Sequence, residues 1–490
     1  MNEKIKLHQQ SIDSNAKKKM VIDLYNRNAL KRESYLQKNR YYYKEIERFY
    51  SFNIPQNASV LEIGCGIGQL LASLNPSRGV GIDISECMIK KAKLKYPDLT
   101  FYVADAETLS LEETFDYVIL SDLVGNLLDI QHTFSNLHKV CRPDTKIIIN
   151  YYNFLWEPVL KLGEKAGLKM PEQYQNWLPI EDLKNFLFLS DFEVIKEGYR
   201  VLLPLYIPLV SAVLNRLVSK LPFVKKLCLV ETIIARPAHG PSYPPSDKRG
   251  YSCSVIIPCR NERGNIEGAV TRTPELGIFT ELIFVDGNST DGTADEIKKM
   301  IKKYPDKNIS LIHQGKGVGK GDAVRKGFCA ARGDVLMILD ADLTVPPEDL
   351  TKFMDAITSG KGEFINGTRL VYPMEKGAMR TLNLIANKLF SLAFTWLLEQ
   401  RYRDTLCGTK VLFKKDYDKI SAGRSFFGDF DPFGDFDLIF GASKLNLKTI
   451  EIPISYKERL YGVTNISRFR HGWLLLKMCF VALFKLKLKN

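Results

Sequence analysis

The sequence predicts an α/β protein of two domains. Three observations carry this. Apolar, strand-like runs alternate with helical patterns along the chain. The stretch "ARPAHGPSYPPSDKRG" at 235–250 is rich in Pro, Gly and Ser, has no apolar period, and divides the chain into halves of similar length. Each half opens its core with an apolar strand that runs into a polar or glycine-rich turn. At 490 residues there is enough chain for two or three full cores.

In the first half, strands are expected at 59–64, 79–84, 99–105, 115–121, 145–152, 192–201 and 228–237, with helical patterns such as "SECMIKKAKLKYP" between them. In the second half they are expected at 252–259, 281–287, 309–315, 334–342, 363–369 and 448–456, with a helix over 375–400. Residues 1–39 read as an N-terminal helical extension. The domains are set at 40–236 and 251–471, the linker at 237–250, and a basic amphipathic segment at 472–490.

Lys and Arg number 69 against 56 Asp and Glu, a net charge of +13 that favours anionic partners without choosing among nucleotides, phospholipid and nucleic acid. The nine cysteines have no framework spacing and read as buried thiols of a reducing cytoplasm; the six histidines form no metal-type cluster. Residues 1–20 lack an apolar core of signal-peptide length, so secretion is not expected. No apolar run reaches the roughly 18–20 residues that span a bilayer. "VLLPLYIPLVSAVL" (201–214) comes near but carries two prolines, and 472–490 is broken by Lys477.

"LEIGCGIGQLL" places Glu62, Gly64, Gly66 and Gly68 where a strand gives way to a helix, and glycines there let backbone approach a ligand. The spacing, Glu-x-Gly-x-Gly-x-Gly, differs from the dinucleotide Gly-x-Gly-x-x-Gly. Asp83 ends the next strand, where an acid can take ribose hydroxyls. Asp105 ends the third strand, and Ser121 and Asp122 the fourth. All four strands thus deliver polar residues to the sheet edge at which open α/β sheets bind ligands.

With these motifs, residues 40–236 resemble the class I S-adenosylmethionine-dependent methyltransferases, most strongly in "VLEIGCGIG", "GVGIDIS" and "ADAETL". The resemblance implies a Rossmann-like seven-stranded sheet and S-adenosylmethionine as cofactor. It implies that Glu62 and the loop Gly64, Cys65, Gly66 and Gly68 hold the methionine end. Asp83 and Ile84 would meet the ribose, Asp105 and Ala106 the adenine, and Ser121 the same edge. Methyl transfer would be an in-line displacement at the sulfonium, helped chiefly by positioning. The acceptor is not named by any motif: no Asn-Pro-Pro-Tyr-type signature follows the fourth strand. "QKNRYYYKEIERFY" (37–50) reads either as a base-stacking surface or as an amphipathic helix over the cofactor, with Tyr41, Tyr42 and Tyr43 candidate acceptor contacts.

In the second half, "SVIIPCRNERGNI" and "LIFVDGNSTDGT" are buried strands ending in polar turns, and "GKGVGKGDAVRKG" is glycine-rich and basic. "LDADLTVPPEDL" (339–350) then places Asp340 and Asp342 one residue apart at a strand end. Paired carboxylates there suit a hard ion such as Mg²⁺ or Mn²⁺, which would neutralise a leaving diphosphate. Pro346, Pro347 and Glu348 read as helix-start residues.

This series resembles the family 2 inverting glycosyltransferases, and among them the dolichyl-phosphate mannose and glucose synthases, over about 252–475. The resemblance implies a Rossmann-like sheet that binds a nucleotide-diphosphate sugar. Pro258, Arg260, Glu262, Asp286, Lys316, Lys320 and Asp322 would hold that donor, Asp340 its ribose or the metal, and Asp342 the metal. Arg369, Asp404, Lys410 and Arg459 would lie around the sugar and acceptor. The chain departs from the family at Gly287, where a second Asp is usual, at Thr344, where lipid-phosphate synthases often carry Gln, and at Thr464-Asn465, where they often carry Ser-Lys. A lipid-phosphate acceptor is already ionised, whereas a sugar hydroxyl needs a base, for which Asp437, or Asp435, is the candidate.

The C-terminal segment reads either as an interfacial helix or as a core helix. In the first reading Trp473, Leu474–Leu476, Phe480 and Leu483–Phe484 form one apolar surface flanked by Arg468, Arg470, Lys485, Lys487 and Lys489. The expectation is therefore a bifunctional cytoplasmic enzyme of cell-surface glycan or glycolipid synthesis. It would carry out methyl transfer and metal-dependent sugar transfer to a polyprenyl-phosphate or glycan acceptor, with peripheral contact at the inner membrane face and no nucleic acid partner. Two alternatives stand beside it: a methyltransferase-like half that only senses or docks, and a nucleic-acid methyltransferase fused to the glycosyltransferase.

Overall fold

The computed structural model describes residues 16–172, 175–238, 250–317, 319–369, 371, 381–426, 435–457, 459, 461 and 468–488. These fall into two compact units, one up to Ala238 and one up to Lys487. Most of the proposed linker, 239–249, lies outside the described residues, as do Thr464 and Asn465.

All seven strands expected in the first unit form: β1 (Ser59–Ile63), β2 (Arg78–Asp83), β3 (Thr100–Val103), β4 (Phe115–Ser121), β5 (Cys141–Tyr152), β6 (Phe192–Arg200) and β7 (Val230–Pro237). They make one sheet in the order β3-β2-β1-β4-β5-β7-β6, with β7 antiparallel to both neighbours. Side-chain alternation splits the apolar runs between two cores. Leu61, Ile63, Ile147 and Ile149 pack on one face, and Val60, Ile148 and Ile234 on the other. Each such side chain, fully buried, contributes about 1.5–3 kcal/mol, which is why both faces must be covered by helices.

The second unit contains β8 (Ser252–Cys259), β9 (Phe279–Asp286), β10 (Asn308–His313), β11 (Val335–Ile338), β12 (Phe364–Thr368), β13 (Lys410–Phe413) and β14 (Thr449–Pro453), ordered β10-β9-β8-β11-β13-β12-β14. The six expected strands are there. The seventh, β13, was not anticipated; it lies antiparallel between β11 and β12. The expected run 334–342 is strand only to Ile338, so Asp340 and Asp342 sit in the turn beyond it. The helix expected over 375–400 is seen at Thr381–Leu398, residues 372–380 lying outside the described set.

Both sheets reverse their order of growth once near the centre. In the first, β2 and β3 extend to one side of β1 and β4 to the other; in the second, β9 and β10 extend to one side of β8 and β11 to the other. The connections on either side of such a switch point leave in opposite directions and open a crevice at the carboxyl ends of the strands.

Phe284 of β9 is fully buried in the core of the second unit. Phe284→Ala should therefore cost about 3–5 kcal/mol, read as a lower urea midpoint on equilibrium unfolding.

Candidate active sites

The first site is built on the loop after β1. The amides of Gly64 and Cys65 both donate to the Ile82 carbonyl of β2, at 2.8 and 2.9 Å, which folds the loop back over the neighbouring strand. That turn requires positive φ at Gly64, Gly66 and Gly68. Asp83, at the end of β2, closes the arrangement: its two carboxylate oxygens accept from the amides of Gly66 and Ser85, each at 2.8 Å. Burial raises the Asp83 pKa, and those two amides oppose the rise.

Beside this loop lies a cavity of about 530 Å³. Gly64, Gly66, Asp83, Ile84, Asp105, Ala106 and Ser121 line it, so seven of the sequence-selected residues are brought together. Glu62, Cys65 and Gly68 are not on its wall. The Glu62 carboxylate is buried behind the loop and accepts from the Leu71 amide at 3.0 Å; burial lifts its pKa to about 8. It tethers the helix Gln69–Ser73 to β1 and lines a smaller pocket that shares Gly64, Ser121 and Asp122 with the cavity. Cys65 is buried in the core, and a Cβ on Gly68 would stand 2.6 Å from the Phe101 ring.

Several cavity residues escaped the sequence reading. Residues 16–39, set apart as an extension, supply Lys18, Tyr25, Arg32 and Tyr35 to the wall. Lys18 pairs with Asp105 and with Glu107, the latter at 2.8 Å. Arg32 donates to the Tyr43 hydroxyl at 3.3 Å. Asp122, with φ of 52°, accepts from Tyr42 Oη at 2.9 Å and from Asn150 Nδ2 at 2.6 Å, and burial raises its pKa to about 7. Tyr42 and Tyr43 face the cavity as expected; Tyr41 instead accepts from Asn215 Nδ2 at 3.1 Å. The signal that could have found this wall is the amphipathic, tyrosine-rich helix Arg40–Asn53, which continues the N-terminal helices toward the sheet edge.

The second site lies where β8, β9 and β11 end. Side chains stitch these ends together: the Asn261 amide donates to Ser289 Oγ at 2.9 Å, Thr290 N to Asn261 Oδ1 at 2.8 Å, and Glu262 N to Thr293 Oγ1 at 3.0 Å. Asp286 is buried and accepts weakly from the Ser289 amide. Lys320 holds Asp340 at 2.6 Å. Burial pushes the Asp340 carboxyl up, but Lys320, with Lys410 and Arg369 adding to it, more than offsets that and leaves it below the usual carboxylate range. Arg459 joins Asp342 and, at 3.2 Å, Glu262. Thr344 Oγ1 donates to Asp342 at 2.8 Å. Thus Glu262, Asp342 and Arg459 meet in one cluster, and Asp340 and Lys320 in a pair beside it. Pro258 is partly exposed, and Arg260 and Lys316 are exposed.

Five other predicted residues are held by contacts of their own. Arg369 makes a two-pronged pair with the fully buried Asp404, at 2.7 and 2.8 Å, and Asn387 adds a bond to the same carboxylate at 2.8 Å. Burial opposes ionisation of Asp404, but Arg369 outweighs it and holds the pKa at about 2. Lys410 is buried and donates to the carbonyl of Cys407. Asp322 accepts from Gln314 Nε2 at 2.9 Å and from Lys326 at 3.2 Å, fixing the basic glycine loop from within. Asp437 is held by Arg424 at 3.1 Å and Arg325 at 3.4 Å, in a small pocket that also contains Phe328 and Tyr417. Asp435 belongs to the same helix, and its side chain lies outside the described residues.

The cavity of the first unit fits S-adenosylmethionine. Asp83 keeps acceptor capacity beyond its two amide bonds, and a Cβ on Gly66 would meet nothing closer than Arg32 at 3.9 Å, so backbone is open to a ligand there. In the second unit, two hard carboxylates on one turn suit Mg²⁺ or Mn²⁺, which keeps water in its other positions. Among the described residues no third acid, His or Cys joins them in a metal-type cluster.

Comparison with known proteins agrees with the two folds. Residues 34–197 match the family described as "Methyltransferase domain", and residues 254–420 match "Glycosyl transferase family 2". Glycosyltransferase AglJ of Haloferax volcanii is 28% identical over 223 residues, covering 45% of this chain and 68% of that protein. Polyprenol monophosphomannose synthase of Mycolicibacterium smegmatis is 28% identical over 225 residues, 44% of this chain and 80% of its own. Dolichol-phosphate mannosyltransferase of Pyrococcus furiosus is 39% identical over 120 residues; that match spans 24% of this chain and only 33% of the relative. A solved S-adenosylmethionine-dependent methyltransferase of Thermotoga maritima aligns with 44% of this chain and 99% of its own at 17% identity and a TM-score of 0.35. The chain accordingly carries a methyltransferase domain in its first half and a family 2 glycosyltransferase domain in its second.

Proposed function

We propose that the chain is a bifunctional enzyme of cell-surface glycan or glycolipid synthesis. Its first domain transfers a methyl group from S-adenosylmethionine. Its second transfers a sugar, with inversion, from a nucleotide diphosphate to a polyprenyl phosphate, or to a glycan. The observation that carries this is that strand-end acids stand in each switch-point crevice: Asp83 with the glycine loop in one, Glu262, Asp340 and Asp342 in the other.

In the first domain, Asp83, oriented by the Gly66 and Ser85 amides, would accept from the ribose hydroxyls. Asp105 and the Ala106 amide would meet the adenine, and Gly64 and Gly66 would leave room for the chain that carries the methyl group. Bound S-adenosylmethionine supplies an electrophilic sulfonium methyl. In the second, Pro258, Arg260, Glu262 and Asp286 surround the base and ribose, and Asp340 and Asp342 would hold the divalent ion. That ion supplies charge neutralisation for the departing diphosphate. Lys320 and Arg459 already balance these carboxylates and are placed to take phosphate oxygens.

Arg424 and Arg325 both pair with Asp437, so its carboxylate is already engaged where a hydroxyl would need it. That supports an acceptor that arrives ionised, a lipid phosphate, over a sugar hydroxyl. The relatives named for polyprenol and dolichol phosphate support the same choice. The helix Arg468–Ala482 supports contact with the inner face of the cell membrane. Trp473, Leu476, Phe480 and the following Phe484 are exposed, whereas Met478, Ala482 and Leu486 are buried. The segment thus has one buried apolar face and one exposed apolar face. Lys487 is a correction: it is buried on Glu399 and does not flank the apolar surface. The side chains of Arg468, Arg470, Leu474 and Leu475, and residue Lys489, lie outside the described set.

Four outcomes test these roles. Asp83→Ala should weaken S-adenosylhomocysteine binding by at least about tenfold, the loss of roughly one charged hydrogen-bond set, measured by titration calorimetry. Asp342→Ala should abolish sugar transfer with an unchanged melting curve. Asp404→Ala should instead act on the fold, because an unpaired buried Arg369 costs about 3–5 kcal/mol; its melting temperature should fall. Asp437→Asn should lower transfer to a polyprenyl phosphate by less than about tenfold, well short of the roughly 10²–10⁴-fold effect of losing a general base.

A further inference from the structure

We propose that the connection between β6 and β7 of the methyltransferase domain docks on an anionic lipid bilayer and presents the cofactor cavity to a membrane-held methyl acceptor. The second part rests on the methyltransferase reading above; the docking surface does not.

The connection, residues 201–229, is folded with its polarity reversed. Ser211, Asn215 and Ser219, four residues apart, lie on one side of the helix Val210–Arg216 and its extension, and all three are buried. Each is satisfied internally. Ser211 Oγ accepts from Ile207 N at 2.7 Å and donates to Leu205 O at 2.6 Å. The Asn215 amide group bonds both backbone groups of Leu203, each at 2.8 Å. Ser219 Oγ donates to Asn215 O at 2.5 Å. The other side is apolar and open. Leu209 is 84% exposed and Phe223 93%, and Val210, Val213, Leu217 and Leu221 are each close to half exposed. A helix that hides its hydroxyls and amide and shows its aliphatic side chains is built for an apolar environment.

Charge selects the occupant. Between Val201 and Val230 there is no Asp or Glu, while Arg216, Lys220, Lys225 and Lys226 are present, with Arg216 and Lys226 exposed. A second copy of this surface would bring like charges together. A bilayer with anionic headgroups offers hydrocarbon to the leucines and phosphate to the cations. At about 1.5 Å per residue the helix is only about 10 Å long, so it lies in the interface and does not span; none of the described helices is long and apolar enough to cross a membrane.

The same connection forms part of the cavity wall. Leu203, Pro204, Leu205 and Leu229 line it, and across from them Val159 and Leu162, both more than half exposed, continue the apolar rim. The acceptor class that fits is an amphiphile whose polar head reaches the tyrosines and Asp122 of the cavity while its hydrocarbon stays in the bilayer.

The test is flotation of the full chain with vesicles of phosphatidylcholine, alone or mixed with phosphatidylglycerol, with S-adenosylhomocysteine binding measured on the same samples. The chain should float with the mixed vesicles. The double variant Leu209→Glu, Phe223→Glu should lose at least about tenfold in partitioning, because two exposed anchors become anions, and should keep its melting curve and its S-adenosylhomocysteine affinity. Trp473→Glu with Phe480→Glu serves as the comparison at the C-terminal helix. Three results overturn the proposal: no flotation, flotation lost only in the C-terminal variant, or a wild-type dimer in sedimentation that the Leu209/Phe223 variant dissolves without any change in flotation. Flotation without S-adenosylhomocysteine binding would leave the docking surface standing and sink the methyltransferase reading.

Discussion

A carboxylate pinned at a strand end beside a reversal of the sheet is the constraint on which both halves depend. In the first domain Asp83 is fixed by the Gly66 and Ser85 amides, so the acid of β2 and the glycine loop of β1 cannot move separately. In the second, the loops after β8 and β9 are tied by Asn261, Ser289 and Thr293, and the turn after β11 brings Asp340 and Asp342 to the same edge. Parallel strands on either side of the switch point make the crevice; the side-chain ties make it a defined site.

Charge balance distinguishes the two crevices. The methyltransferase cavity is walled by tyrosines and apolar side chains, and burial raises the pKa of Asp83 and Asp122 on its wall. Such a cavity suits a cationic sulfonium beside carboxylates. The glycosyltransferase crevice pairs its two turn acids with cations, Asp340 with Lys320 and Asp342 with Arg459. A ligand that brings both a metal and phosphates can exchange those pairs one for one, so ionic partners are kept on binding. Asp404, fully buried, and Arg369, slightly exposed, form a third pair.

Much of this was legible in the sequence, for physical reasons. Buried parallel strands are continuous apolar runs, and all thirteen runs read as strands are strands. β13 was missed because "KVLF" is only four residues long and is followed at once by two lysines that start a helix. Strand-end acids were legible because they sit where apolar runs stop. What each acid touches was not: no motif announces that Glu62 accepts from the Leu71 amide or that Asp404 pairs with Arg369. The cavity wall from residues 16–39 was opaque, since Lys18, Tyr25 and Arg32 belong to no motif and reach the site only through tertiary packing. The polarity reversal at Ser211, Asn215 and Ser219 was likewise invisible, because the spacing shows which residues share a face and not which face is covered.

The central claim is that one chain holds two separate, complete sites. Titrating S-adenosylhomocysteine and then a nucleoside diphosphate with Mg²⁺ into the same sample of the full chain tests it most directly. The account predicts that each ligand saturates one site per chain and that neither displaces the other. Failure of either ligand to bind, or competition between them for a single site, would contradict it.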